Sequence, residues 1–445
     1  MAHDVARPRG LSAPLNAAPH VVFARARQLR ARLADPRSRA AFIYLGATVL
    51  ARAGSIFLIP LYTRALDLDE YGLLALAQTI VGFLATPLSL GLNSSVVRQF
   101  YASASTEEST FRAGSSARWM IASTAVVSAM LVAAGVWLPL DAPLGLPGSG
   151  RLLVVAAAGT ALATLPVVYH RASQQPLRAA AFQLGEFCAS LGAGLGLVLG
   201  LGRGLRGAVE ALAVSGALMG TVAVVFVFAR LPGRFDPAVL RSSLRFSLPL
   251  VPHGAANQVQ QMSDRWVLRW NGLESALGSY ALAGQVAIPV SMTIGAWNEA
   301  VTPSMGEVYR QGGTDGLIAA LPRFLRTYLG MAALPAVAVI AALPVFWMIL
   351  GDRFTSSLFL VPVLCVIMAL ECAYYPLSNV LFFADRPSSI VRVSVGSGIL
   401  NVLLNVALIP VLGVWGAFVS RLLSMGARTV AVGMAVRTLA REERG

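Results

Sequence analysis

Residues 41–62 read AFIYLGATVLARAGSIFLIPLY, an apolar run broken by a single charge, Arg52. At about 1.5 Å of rise per residue, a helix over this run puts Arg52 roughly 16 Å into a hydrocarbon layer about 30 Å thick, close to its midplane. Insertion scales set the cost of a central arginine at about 2.5 to 3.5 kcal/mol, so the side chain is expected to face the protein interior, a partner or a water-filled cavity. Such an arginine points to a path for something anionic. The plainer reading is pairing with a buried carboxylate or with helix-end carbonyls.

The rest of the chain agrees with a membrane setting. Of its 445 residues 56% are hydrophobic and 13% charged, and the mean hydropathy is +0.68, which excludes a soluble protein with an ordinary polar surface. All 35 basic residues are arginine, and the formal charge is +14. In a soluble chain that balance would suggest nucleic acid; here it is expected to reflect basic cytoplasmic segments, with no nucleic-acid partner. The three cysteines, Cys188, Cys365 and Cys372, fall in apolar segments with no paired spacing, so neither a disulfide framework nor a metal site is indicated. The four histidines (His3, His20, His170, His253) are scattered, and a phosphate loop of the lysine-bearing type cannot form without lysine. No cofactor, ATP hydrolysis or catalytic constellation is expected.

Scanning for runs of about 20 apolar residues gives twelve spans: 41–62, 72–92, 117–138, 152–170, 179–202, 207–229, 246–263, 277–297, 327–350, 357–383, 389–410 and 413–437. With the N-terminus inside, 25 arginines lie on the inside segments and seven (Arg64, Arg151, Arg203, Arg206, Arg265, Arg269, Arg353) outside, while Arg52, Arg421 and Arg428 lie within spans. This bias predicts that both termini are cytoplasmic and that the longer connections, 93–116 and 298–326, are inside. The expected organisation is an arginine-rich cytoplasmic leader (1–40), a six-helix lobe (41–229), a cytoplasmic linker (230–245), a second six-helix lobe (246–437) and a cytoplasmic tail (438–445). No cleavable signal is expected in the leader. It reads either as a short basic helix on anionic headgroups or as a disordered segment. A weak repeat supports parallel halves: Tyr71 to Gln78 (YGLLALAQ) opens the second span and Leu277 to Gly284 (LGSYALAG) the eighth, 206 residues on.

Several stretches carry a family resemblance. Phe246 to Pro252 (FSLPLVP), Ser263 to Trp266 (SDRW) and Leu277 to Ala283 (LGSYALA) resemble the start of the second half in Wzx-type polysaccharide flippases. Their superfamily includes the MATE drug exporters and the lipid II flippase. The first half has a similar signature in Pro60 to Leu66, Asp69 to Leu74 and Leu90 to Arg98, and a third match is Asn401 to Asn405 with Ile409 to Ala417. The resemblance implies an all-α polytopic membrane protein of about twelve transmembrane helices in two six-helix lobes around a central cavity. It also implies translocation of a polyprenyl-pyrophosphate-linked oligosaccharide from the inner to the outer leaflet of a bacterial inner membrane by alternating access. The polymerase and glycosyltransferases of the same pathway are the partners it suggests, beside membrane lipids.

A pyrophosphate in a low-dielectric cavity needs cations, and arginine's fork suits it better than lysine's point charge. Arg52 is the first candidate. Arg265 and Arg269, at the outer end of the seventh span, and Arg98, at the inner end of the second, either receive phosphates at the limits of the cycle or simply snorkel to the interface. Arg421 is either a cavity residue or the partner of a carboxylate. Glu371 and Glu186 are candidates for ion coupling, a role that pairing with a buried arginine would oppose by holding them ionised. Pro249 and Pro252 mark either a hinge or a tolerated kink. Asn401 and Asn405, four apart, read as helix-helix glue more than as sugar ligands. The alternatives are a MATE-like cation exporter, which would want carboxylates in its cavity, and a glycan polymerase or ligase, which would want a substantial outer loop.

Reporter fusions after Arg245 and after Arg326 are expected to read cytoplasmic, and fusions within 139–151 and 351–354 external. Reversal in either half would overturn the parallel-halves organisation.

Overall fold

Asp67 sets the start of the first long helix. Its Oδ1 accepts the Glu70 backbone N–H at 2.8 Å, and its own N–H donates to Glu70 Oε2 at 3.2 Å. This capping box satisfies donors that the first turn cannot. The computed structural model describes residues 58–442 apart from 102–104, 136, 137, 249 and 351, so Arg52 and Pro249 lie outside the described residues. Helix α1 (Leu68–Leu88) is followed by α2 (Leu92–Phe100), α3 (Thr106–Ala133), α4 (Ser149–Ala172), α5 (Pro176–Gly194), α6 (Gly204–Arg230), α7 (Pro237–Ser247) and α8 (Leu250–Trp270). Then come α9 (Glu274–Ala341), α10 (Val361–Glu371), α11 (Tyr374–Phe383), α12 (Pro387–Leu412) and α13 (Val414–Glu442). No strand occurs among the described residues.

Eight helices among the described residues are long and apolar enough to cross a membrane. One of them, α9, runs for 68 residues, enough for two crossings, and bends at Gly313 (φ 60, ψ −156), a backbone region that only glycine enters without strain. Large apolar side chains face outward along the molecule, among them Met130, Val225, Leu334, Val337, Leu403 and Val411, each more than half exposed. Such a belt belongs in hydrocarbon. The chain is therefore an all-α, multi-pass membrane protein. Helices α8 and α13 have the length of a crossing but are too polar to qualify on hydropathy. They are the ones that carry Arg265, Arg269, Arg421 and Arg428.

The structure differs from the sequence reading in five places. The connection 298–326 is helical on both sides of Gly313, and 93–116 holds α2 and the start of α3. Part of the linker 230–245 is α7, capped by Asp236, whose Oδ1 accepts from Ala238 N at 2.8 Å, with Pro237 pre-set in the first turn. The span read as 246–263 begins four residues later, because α7 ends at Ser247 and α8 starts at Leu250, so the break lies before Pro252. The span 357–383 is divided at Cys372 and Ala373. Pro376 explains that division: it lacks the N–H that would bond the Cys372 carbonyl, and its ring presses on that carbonyl.

Close crossings rely on glycine. In the first half, α4 meets α6 where a Cβ on Gly159 would lie 2.1 Å from Gly216 O. Between the halves, α1 crosses α9: a Cβ on Gly72 would lie 2.6 Å from Glu274 O, and one on Gly278 would lie 1.9 Å from Leu68 O. Ser275 donates to Asp69 beside this crossing, a pair separated by 206 residues. That is the offset of the sequence repeat, and Gly72 and Gly278 share it. Positions that stand 206 apart in the chain thus touch each other, as residues do on a two-fold axis.

Gly278→Val is expected to destabilise the protein by about 1–3 kcal/mol through overpacking, read as a lowered unfolding midpoint in detergent. Gly284→Val, on the same helix with nothing within 4 Å of its Cβ position, should leave the midpoint nearly unchanged.

Candidate functional site

Below the crossing, α1, α8 and α9 enclose a cavity of about 80 Å³ with the helical turn that carries Leu58, Ile59 and Tyr62. Its polar lining is Tyr62, Tyr71, Gln78, Arg265 and Gln285, and the rest is Leu74, Ala75, Ala281 and the two aliphatic residues of that turn. No Asp or Glu lines it among the described residues.

Arg265 is the cation of this cavity among the described residues. One terminal guanidinium nitrogen donates to the Ala75 carbonyl at 3.2 Å and to Thr79 Oγ1, and Thr79 in turn donates to Ala75 O at 2.6 Å. A hydroxyl four residues on from a carbonyl thus builds a neutral cradle that orients the guanidinium without neutralising it. Its Nε is buried without a partner among the described residues. The neighbouring Asp264 uses Oδ1 to accept the Arg265 backbone N–H at 2.7 Å.

The other predicted cations do not converge here. Arg269 donates through Nε to Pro143 O at 2.6 Å and pairs with Glu274, tying the connection before α4 to the start of α9. That connection is itself held by Asp141, which accepts from Gly150 N at 2.6 Å, Gly148 N at 2.8 Å and Ser149 Oγ at 3.1 Å. Desolvation alone would raise the Asp141 pKa; the bonds from Gly150, Gly148 and Ser149 outweigh it and hold the carboxyl below its ordinary value. Arg98 lies at the opposite end of α1, exposed, with its guanidinium 4.5 Å over the Phe246 ring.

Arg421 and Glu371 find each other. Two nearly parallel bonds, Nε to Oε1 at 2.7 Å and a terminal nitrogen to Oε2 at 3.1 Å, join α13 to the last residue of α10, at the division that Pro376 makes. Of the two readings of Arg421, the structure displays the carboxylate partner. Glu186 lies half-buried on α5. Asn401 and Asn405 bond within a seam between α8, α12 and α13: Asn405 Nδ2 donates to Ser263 Oγ at 2.8 Å, Ser263 Oγ to Asn401 Oδ1 at 3.1 Å, and Asn401 Nδ2 to Ser424 Oγ at 3.0 Å.

Sequence reading missed two further groups. Tyr328 Oη and Asn379 Nδ2 both donate to Asn298 Oδ1, at 2.8 and 3.0 Å, and Arg428 stacks 3.8 Å over the Tyr374 ring. Isolated amides and tyrosines in apolar runs were the available signal, but nothing in one sequence pairs residues 81 positions apart.

The fold matches known transporters. A multidrug resistance MATE family transporter of the MOP superfamily in its inward-facing conformation superposes with a TM-score of 0.70 at 15% identity, covering 90% of this chain and 99% of that one. The outward-facing conformation of such a transporter gives 0.61 over 92% and 96%. A MOP superfamily transporter from Pyrococcus furiosus Vc1 (DSM3638) gives 0.60 at 14% identity over 92% and 98%. In sequence, Lsg locus putative protein 1 of Haemophilus influenzae (strain ATCC 51907 / DSM 11121 / KW20 / Rd) is 29% identical over 182 residues, 39% of this chain; the chain thus spans 45% of that relative's length. Residues 38–308 match the polysaccharide biosynthesis protein family. A match over more than half of its length makes the chain a member of the polysaccharide biosynthesis protein family.

Proposed function

We propose that this protein is a flippase for polyprenyl-pyrophosphate-linked oligosaccharide units in surface polysaccharide synthesis, O-antigen or exopolysaccharide, in a bacterial inner membrane. The observation that carries the reading is the charge of the cavity: in a family devoted to polysaccharide biosynthesis, it contains an arginine in a neutral cradle and no carboxylate among its described lining. Arg265 would attract one phosphate of the cargo through donors left free by Ala75 and Thr79, and Gln78 and Gln285 would bond its ester oxygens or first sugar. Arg52 is proposed as the second cation. Arg269 and Arg421, each engaged with a carboxylate, are proposed as structural, and Glu371 with them.

The two six-helix halves, 41–229 and 246–437, would exchange access by rocking against each other, with both chain ends cytoplasmic. In that orientation the crossing closes the outer side. Its opening would require the Asp69–Ser275 bond and the Arg269–Pro143 bond to break, while the Arg269–Glu274 pair, internal to the second half, would persist. No chemistry is assigned to the chain itself. The polymerase and glycosyltransferases of the pathway act on the same lipid-linked unit before and after it.

Deleting the gene is expected to trap lipid-linked repeat units on the cytoplasmic leaflet, inaccessible to added lectin in spheroplasts until permeabilisation, with drug susceptibility unchanged. Repeats that stay accessible but unpolymerised would point to a polymerase, and hypersensitivity to cationic dyes with intact surface glycan to an exporter. Arg265→Gln should abolish complementation at normal membrane levels, and Arg265→Lys should keep part of it, because the charge survives and the fork does not.

The Arg421–Glu371 pair has its own test. Arg421→Met should cost roughly 2–3 kcal/mol of stability by leaving Glu371 uncompensated, and the double variant Arg421→Met with Glu371→Leu should recover most of it. A coupling role for Glu371 would show instead as a double variant that is stable and inactive.

A further inference from the structure

Helix α7 is built to hold a charged surface at a fixed place. Its inner side is Val239, Ser243 and Ser247, all buried, and small hydroxyls let it lie close against α2 and α3. Gln99 Nε2 donates to Ser242 Oγ at 2.7 Å and to Ser243 Oγ at 3.2 Å, and Ser116 Oγ lies 3.4 Å from Ser243 Oγ. Arg112, which donates to Gln99 Oε1 at 3.1 Å, is already neutralised by Glu108.

On the outer side Arg241 and Arg245, one turn apart and exposed, join Arg98 of α2 around a groove of about 860 Å³ that also includes Pro237, Ala238 and Ser242. None of the three arginines has an ion pair among the described residues, and no carboxylate lines the groove. The nearest acid on α7, Asp236, is committed to its cap. Arg98 is held in place by its stacking on Phe246. The level in the membrane is marked by its neighbours: Trp119 packs edge-on to the half-exposed Phe235, donates to Asp236 O at 3.0 Å, and Leu248 at the far end of α7 is 53% exposed. Aromatic residues with a polar handle beside exposed aliphatic ones define the headgroup region.

We infer that this groove is a binding site for the phosphate of an anionic phospholipid, distinct from the transport cavity. It shares no lining residue with the cavity, so a lipid seated there is a resident, not the cargo. Its place is consequential, since Arg98 belongs to the first half while α7 leads within three residues into α8, which carries Arg265. A phosphate between Arg98 and Arg241 or Arg245 would clip the linker to the first half.

The test uses the full chain in proteoliposomes with a photoactivatable phosphatidylglycerol or the matching phosphatidylcholine, followed by peptide mapping. Phosphatidylglycerol is expected to label residues 237–248 about 10-fold more than phosphatidylcholine, and the excess should fall in about 0.5 M salt. R241Q/R245Q should remove most of that excess and bring phosphatidylglycerol labelling near the phosphatidylcholine level, since each arginine at the surface contributes to the attraction, while labelling of α12 is unchanged, and R241K/R245K should retain most of it. Equal labelling of the wild type by both probes would overturn the site, and this arm needs no variant to fold. Displacement of phosphatidylglycerol by equimolar undecaprenyl pyrophosphate would overturn the phospholipid and give the groove to the cargo.

Discussion

The contact of α1 with α9 at Gly72 and Gly278 constrains everything around it. Either side chain enlarged by one carbon would meet a backbone oxygen of the other helix, at 2.6 Å and 1.9 Å, so the two backbones touch directly. Apolar side chains provide little drive for association inside a bilayer, since lipid tails are as apolar as they are; close backbone approach and interhelical hydrogen bonds have to serve instead. The crossing has both, with Ser275 bonded to Asp69 one turn away. The two helices meet near their starts, and both line the cavity that holds Arg265.

The same physics explains where the polar residues went. In water, α8 and α13 would be unremarkable amphipathic helices; among lipids they must turn their polar groups inward. Ser263, Asn401, Asn405 and Ser424 bond one another in one seam, and Arg421 meets Glu371 with both fork nitrogens. A charge pair of this kind avoids the cost of a lone ion in hydrocarbon more than it adds stability of its own. Arg265 is different in kind. Its partners are a carbonyl and a hydroxyl, which satisfy hydrogen bonds and leave the charge in place.

Much of the architecture was legible because hydropathy is a local property: a run of twenty apolar residues announces itself, and the membrane class follows. The repeat at 206 was legible for the same reason. Its consequence, that Asp69 would meet Ser275 and Gly72 would meet Gly278, needed the two halves folded together. Partnerships were the hidden part. Arg421 and Glu371 stand 50 residues apart with no periodicity linking them. The division at Cys372 was available in principle from Pro376, but a proline near a span centre is often absorbed as a bend. Helix α7 was read as linker because 11 residues alternating serine, arginine and aliphatics are too short and too polar to resemble a span; its burial comes from serines, which sequence reading does not count as core. Arg52, which first pointed to an anionic cargo, lies outside the described residues, and Arg265 takes its place in the structural argument.

Two halves that match at the crossing differ at the cavity, and the difference has a functional logic. Ala75 and Ala281 both line it, and they are equivalent under the repeat. Ile59 and Arg265 also both line it and also stand 206 apart, yet one is aliphatic and the other a cation. In the proposed cycle, symmetry in the scaffold would let the halves rock as similar bodies, because each presents the same backbone surface to the other at the crossing. Symmetry in the chemistry would place two facing guanidinium groups in a cavity of about 80 Å³, where their repulsion would open the crossing without any cargo. Among the described residues one arginine lines the cavity, which spares the closed, empty state that repulsion. In the proposed function, the diphosphate of the cargo would bring the negative charge that a second cation, Arg52, would then share.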